Sequence, residues 1–211
     1  MSGGNNTVEL IGYYGSDETH AMSAWTSTSR DLTDEKRGRI DKLLKMLAEA
    51  GHHTVFEKSS LHFLVTSDVA THIQFLKHRI GVSINAESAR YKELKDDKFY
   101  IPQDWPEDEV RRYEDHMNHS LALYHDTLKR LIDSGVPRKR AKESARFYLP
   151  YGNQITMDVM FNWRSFYHFL SLRAKPDAQR EIACVADEML KIVSNIEGKP
   201  FRHTISAFGL Q

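Results

Sequence analysis

The segment from Glu107 to Asp133 constrains this chain most. Val110, Tyr113, Met117, Leu121, Tyr124, Leu128 and Leu131 form one apolar stripe at helical spacing, and Gly135 followed by Pro137 ends the pattern. A long helix with a single apolar stripe must lay that stripe on other elements. The chain supplies them. Val8, Leu10 and Ile11 within Thr7 to Tyr14 predict a first strand. Thr33 ahead of Asp34-Glu35, then Ile40, Leu43, Leu44, Leu47 and Ala48 before Gly51, predict a helix with start and stop signals. Leu61, Phe63 and Val65 alternate with His62, Leu64 and Thr66 as a half-buried strand, and Asp68 is a candidate cap for a helix over Val69 to His78 that runs on into a loop. Pro137 to Leu149 reads as a basic helix ended by Pro150. Ile155, Met157, Val159 and Phe161 alternate as a further strand, and helices over 163–173 and 177–196 close the series. This order predicts an α+β fold with helices against a small sheet. Residues 1–6, polar and Gly-rich, are expected to fray.

Bulk composition narrows the function classes. With 211 residues and 40% hydrophobic content, one sizeable core and a single domain are expected. The 29 Lys+Arg balance the 29 Asp+Glu, so no global field favours nucleic acid or an anionic membrane. Apolar runs fall far short of the roughly 20 residues that span a bilayer, and no signal pattern opens the chain, so a cytoplasmic protein without membrane partners is expected. The one cysteine, Cys184, rules out an intrachain disulfide and a thiolate cluster. It lies in a helical segment beside Ile182, Val185, Ala186 and Met189 and is expected to pack as a small hydrophobe.

The segment Gln74-Phe75-Leu76-Lys77-His78-Arg79 concentrates cationic and amide groups in a stretch too short to hold a core. On a helix through 69–78, Gln74, Lys77 and His78 would share one face while Ile73 and Leu76 turn toward the core. In the loop beyond, the Ser88 hydroxyl and the Arg90 guanidinium suit a phosphate monoester, at about 1.5–3 kcal/mol for each charge-assisted hydrogen bond. The alternative is that Lys77, Arg79 and Arg90 are solvated surface charges and Ser88 a turn residue.

Ordered blocks along the chain weigh against that alternative. Lys77-His78-Arg79 with Ser88, Arg90 and Tyr91 resembles the Arg-His-Arg…Ser motif of the flavin-dependent thymidylate synthases. Gly51-His52-His53-Thr54-Val55-Phe56-Glu57 resembles that family's Gly-His-Glu-Thr-Pro-Phe-Glu block. Ser134-Gly135-Val136-Pro137-Arg138, Ala145-Arg146 and Leu149-Pro150 are similar to its Gly-Val-Pro-Arg…Ala-Arg…Leu-Pro segment. Asn162-Trp163-Arg164-Ser165, Phe169-Leu170-Ser171-Leu172-Arg173 and Ala178-Gln179-Arg180-Glu181-Ile182 are similar to its last motifs. The resemblance implies a mainly antiparallel sheet flanked by helices in one domain over 7–211. It implies reductive methylation of deoxyuridylate at C5, with methylenetetrahydrofolate as carbon donor and NADPH as reductant through FAD. Gln74, Lys77, Ser88, Arg90 and Arg146 would hold the nucleotide, and Arg173 would face the uracil carbonyls. Ser88 and Arg173 are the expected catalytic groups. His52, Thr54, Glu57, His78, Arg79, Asn162, Arg164 and His168 would hold the flavin. A homotetramer with pockets built from several subunits is implied as well, so Lys77–Arg79 and Arg146 need not be neighbours within one chain. Without the family, Asn162 reads as a helix N-cap and Glu57 as a surface charge.

The chain also departs from the pattern. Lys77 replaces the first Arg of the motif, eight residues rather than seven separate Arg79 from Ser88, and Ala86 intervenes between Asn85 and Glu87. A longer spacing surrounds Arg140 to Ser144. These differences point to a divergent branch, with a viral origin as one reading, and keep open pyrimidine hydroxymethylation or a catalytically altered nucleotide- or flavin-binding relative. Two rivals come from other classes. His116, His119, His125 and Asp126 suggest a metal-dependent phosphohydrolase, but they lie mainly off the apolar stripe, and no metal is expected. The basic run Arg138 to Lys142 suggests nucleic acid, but reads as a solvated helix face.

Overall fold

The computed structural model describes residues 3–29, 31–88, 93 and 98–210. In chain order the elements are strands β1 (Gly3–Gly4) and β2 (Thr7–Tyr14), helices α1 (Asp17–Trp25), α2 (Asp34–Arg37) and α3 (Ile40–Glu49), and a 3-10 turn (His53–Glu57). Next come β3 (Ser60–Asp68), α4 (Val69–Phe75), β4 (Val82–Ala86), β5 (Phe99–Tyr100), α5 (Glu107–Asp133), α6 (Arg138–Ala145) and a second 3-10 turn (Arg146–Tyr148). The chain closes with β6 (Gln154–Phe161), α7 (Trp163–Arg173), α8 (Arg180–Ser194) and α9 (Arg202–Ala207). The fold is a mixture of helices and antiparallel sheet, as expected. Its four-stranded sheet runs β2-β3-β6-β4, and β1 pairs in parallel with β5 through Gly3↔Phe99 and Gly4↔Tyr100.

The chain forms two compact units, residues 1–7, 65–76 and 85–157, and residues 8–64, 77–84 and 158–211. In the first, α5 sets the core as its stripe predicts: Met117, Leu121, Tyr124 and Leu128 are buried. Ala141 and Ala145 of α6 pack on Tyr124 and Leu128 because their small side chains let the helices approach. Gly135, at φ +89°, ends α5 in the left-handed turn that lets Val136 N–H reach the Leu131 carbonyl. Asp68 caps α4 through Thr71 N–H at 2.8 Å and accepts from Asn6 Nδ2 at 2.9 Å. Gln154 Nε2 donates to the Asn5 carbonyl. Residues 3–6, expected to fray, are therefore held by β5, Asp68 and Gln154.

The second unit is built on aromatic side chains. Phe56, Phe63, Phe161, Trp163, Phe166, Phe169 and Phe201 are fully buried, each contributing about 1.5–3 kcal/mol on leaving water. Trp163 stacks on Phe201 at 5.2 Å and Phe63 on Phe166 at 5.8 Å. A buried polar chain ties α1 to α9. The Asp17 carboxylate accepts from His203 N–H and from Thr204 N–H and hydroxyl, His20 Nδ1 meets Thr204 Oγ1 at 3.0 Å, and His20 Nε2 meets Ser59 Oγ at 2.9 Å.

Several expectations need correction. The helix expected over 69–78 stops at Phe75, so Lys77 and His78 lie beyond it and share no helical face with Gln74, while Ile73 and Leu76 are exposed. The stretch expected as loop after Arg79 contains β4, whose Val82, Ile84 and Ala86 alternate in burial with Ser83 and Asn85. The helix expected after Thr33 is two helices, parted around Gly38. The Cys184 thiol is exposed: α8 buries Ile182, Val185, Ala186, Met189 and Val193, and position 184 falls off that stripe.

Candidate active site

The candidate cationic and aromatic residues of the second unit lie on α7, on the 3-10 turn at 53–57 and on the loop 77–81. That loop is fastened at two points. His78 is buried; Arg173 Nε donates to its Nε2 at 3.0 Å, the Phe169 ring stands edge-on at 5.0 Å, and the His168 ring lies at 6.1 Å. Burial, reinforced by the Arg173 and His168 charges, pushes the His78 pKa down to about 4, so the ring is neutral at physiological pH. Because Nε2 accepts, the hydrogen-bond geometry assigns the ring proton to Nδ1.

The second fastening is at Gly81. Its carbonyl accepts from Ser165 Oγ at 2.7 Å and from Asn162 N–H at 3.3 Å. Asn162 is the N-cap of α7, its Oδ1 accepting from Ser165 N–H at 2.8 Å, so the cap role expected from its type is real. Gly81 sits at φ +69°, and a methyl there would stand 2.6 Å from Asn162 Nδ2, so only glycine fits without displacement. Lys77, just before the first anchor, and Arg79, between the two, present exposed charges. Arg164, one residue past the Trp163 start of α7, pairs with Glu57 Oε1 at 2.6 Å. His52, Thr54 and His168 are exposed, while His53 is half-buried against Tyr167 and Phe208.

Thus His78, His168 and Arg173 come together, as do Glu57 with Arg164, and Asn162 with the loop that carries Arg79. Three remaining candidates belong to the first unit. Gln74 is half-buried on α4, Arg146 is exposed where α6 passes into the second 3-10 turn, and Ser88 is half-buried just past β4. Beside it, Glu87 N–H donates to the Thr156 carbonyl and the Glu87 carboxylate Oε2 accepts from Thr156 N–H, each at 2.9 Å. Arg90 lies outside the described residues. Among the described residues, no three His, Cys, Asp or Glu side chains are grouped to hold a metal ion, so the rival built on His116, His119, His125 and Asp126 gains no geometric support.

Sequence reasoning missed Gly81, Ser165 and Phe169 as parts of this site. The glycine could have been found from its place between a cationic run and a strand, and the serine from its spacing three residues after a capping asparagine. The donor set, two exposed cations on a short loop, Arg164, a helix start and histidines beside aromatic rings, fits a large anionic aromatic cofactor such as a flavin dinucleotide.

The family model of the thymidylate synthase complementing protein matches residues 9–197. The chain belongs to this family. Relatives include the flavin-dependent thymidylate synthase of Tropheryma whipplei strain TW08/27, 34% identical over 88% of this chain and 86% of that protein. That of Pseudothermotoga lettingae is 32% identical over 90% of this chain and 85% of that protein. Among solved structures, the UMP/dUMP methylase PolB from Streptomyces cacaoi bound with 5-Br dUMP superposes with a TM-score of 0.81. It is 29% identical and covers 99% of this chain and 97% of that one. PolB bound with 5-Br UMP gives a TM-score of 0.79 at the same identity. The family therefore extends well beyond the motif blocks, from β2 into the residues just past α8.

Proposed function

We propose that this protein is a flavin-dependent thymidylate synthase. It would methylate deoxyuridylate at C5 with methylenetetrahydrofolate as carbon donor and NADPH as reductant, using FAD. The observation that carries this reading is the Arg173–His78 hydrogen bond, in a chain of this family, which joins a residue assigned to the pyrimidine to a residue assigned to the flavin. The family match over 9–197 also supports reading 7–211 as one catalytic domain.

When bound, the flavin supplies the redox chemistry. His52, Thr54, Glu57, His78, Arg79, Asn162, Arg164 and His168 are assigned to holding it. Arg79 and Arg164 suit its phosphates, since a guanidinium offers paired donors to phosphate oxygens. Gln74, Lys77, Ser88, Arg90, Arg146 and Arg173 are assigned to the nucleotide. Lys77 keeps the charge of the motif's arginine but gives a point contact in place of a fork. Neutral His78 accepts from Arg173 Nε and so fixes the plane of that guanidinium, whose terminal nitrogens are assigned to the pyrimidine oxygens as negative charge develops there. Ser88 is assigned the second catalytic role, at the reacting face of the nucleotide. A homotetramer with pockets shared between subunits and a cytoplasmic location go with the family reading; no described helix is long and apolar enough to cross a membrane.

The likeness to PolB bound with 5-Br UMP favours one second reading, in which the uridine ribonucleotide is also accepted. Mass spectrometry of the nucleotide after incubation with all co-substrates separates the cases. The proposal expects a methylated product from deoxyuridylate. A hydroxymethyl product identifies the alternative chemistry, methylation of UMP adds the ribonucleotide, and unchanged nucleotide rejects the enzyme reading.

A further inference from the structure

We infer that Ser165 is a positioning residue for flavin binding, acting through Gly81 on the loop that carries Arg79; this rests on the flavin reading above. The serine is buried, and its side chain faces the loop. Its hydroxyl donates to the Gly81 carbonyl at 2.7 Å, with the Asn162 carbonyl also within reach at 2.9 Å. Its N–H donates to Asn162 Oδ1 at 2.8 Å. One residue thus performs two tasks. It occupies the oxygen of the Asn162 amide, which leaves Nδ2 as the end of that amide able to donate to a cofactor. It also fixes the backbone two residues after Arg79.

Gly81 completes the arrangement from the other side. Its φ of +69° and its missing Cβ let the loop lie directly against the Asn162 amide, where a methyl would intrude to 2.6 Å from Nδ2 and 3.2 Å from Ser165 Cβ. Arg79 and Ile80 are exposed, with Ile80 91% accessible, so this stretch has little burial of its own to hold it. Its position is set by the flanking anchors, His78 on Arg173 and Phe169, and Gly81 on Asn162 and Ser165. Loss of one anchor leaves Arg79 more conformations and raises the entropy cost of engaging an anion.

The test is FAD affinity of the purified full-length protein, measured by quenching of flavin fluorescence, with thermal melting of the flavin-free form alongside. Ser165→Ala should weaken FAD binding about tenfold, the worth of one hydrogen bond that orders the binding loop. Ser171→Ala, whose hydroxyl bonds to the His168 carbonyl within the same helix, should bind like the parent. Gly81→Ala attacks the contact from its other side and should weaken FAD binding at least as much; it carries the test if Ser165→Ala does not fold. Unchanged FAD affinity in either folded variant overturns the inference, as does an equal loss in Ser171→Ala. Failure of the parent protein to bind FAD removes the flavin reading itself, which is a different result from a parent that binds and a Ser165→Ala variant that binds equally well.

Discussion

His78 and Arg173 act as a pair because each limits what the other can do. A buried imidazole kept neutral can accept from a guanidinium; a protonated one would face a like charge at 3.0 Å. Arg173→Lys keeps the charge but removes the Nε donor that His78 orients and with it the paired terminal donors, and turnover on deoxyuridylate should fall about a hundred- to a thousandfold, the usual cost of losing a preorganised donor to developing charge. His20 is a second neutral histidine, brought by burial to about 4. Both folded pKa values lie below the unfolded value of 6.5, so the unfolded chain binds more protons between these limits. The stability they contribute is complete above about pH 6.5 and is lost as pH falls toward about 4, at up to about 1.4 kcal/mol per pH unit for each histidine. Urea unfolding between pH 7 and 5 should show this slope, and His20→Gln should flatten it. At this scale the sequence disclosed residue types and little geometry. Asn162 was legible as a cap, since capping is local, whereas the Arg173–His78 contact joins positions 95 residues apart and no local pattern encodes it.

Elements divide by whether their signals are local. α5, β6 and α7 match their expected spans closely because period and stop signals agree with the burial they receive. α4 ends at Phe75, three residues before the expected His78, and His78 packs against Phe169 and Arg173, partners that lie far away in sequence and that no local helical signal contains. The alternation of Val82, Ile84 and Ala86 was readable as a strand, but it fell inside a stretch read as a binding loop. α9 has no strong stripe; its first N–H groups are capped from a distance by the Asp17 carboxylate, invisible to any window of sequence. Asn162→Ala should cost about 1 kcal/mol in urea unfolding through loss of the α7 cap. Gly152→Ala should cost more, about 1–3 kcal/mol, because its methyl would fall 1.7 Å from the hydroxyl of Tyr113, a half-buried ring whose own pKa burial pushes up to about 12.

For the whole molecule, the chemistry is local while the net charge is zero, so the cations of loop 77–81 and α7 must recognise their anions at short range. Ordered motifs spread along the chain made the family legible, and the family match bears them out. What they did not reveal is how the departures are absorbed. The eight residues after Arg79 include the five of β4, which ends at Ala86, and just past it Glu87 N–H donates to the Thr156 carbonyl while the Glu87 carboxylate accepts from Thr156 N–H, so the stretch with the longer spacing is bonded to β6. The reading of these parts as a thymidylate synthase is tested most directly by tritium release from C5-labelled deoxyuridylate, with FAD, NADPH and methylenetetrahydrofolate all present. The account predicts enzyme-dependent release that requires each of the three and is lost in Arg173→Lys; no release from folded, FAD-bound protein under these conditions would contradict it.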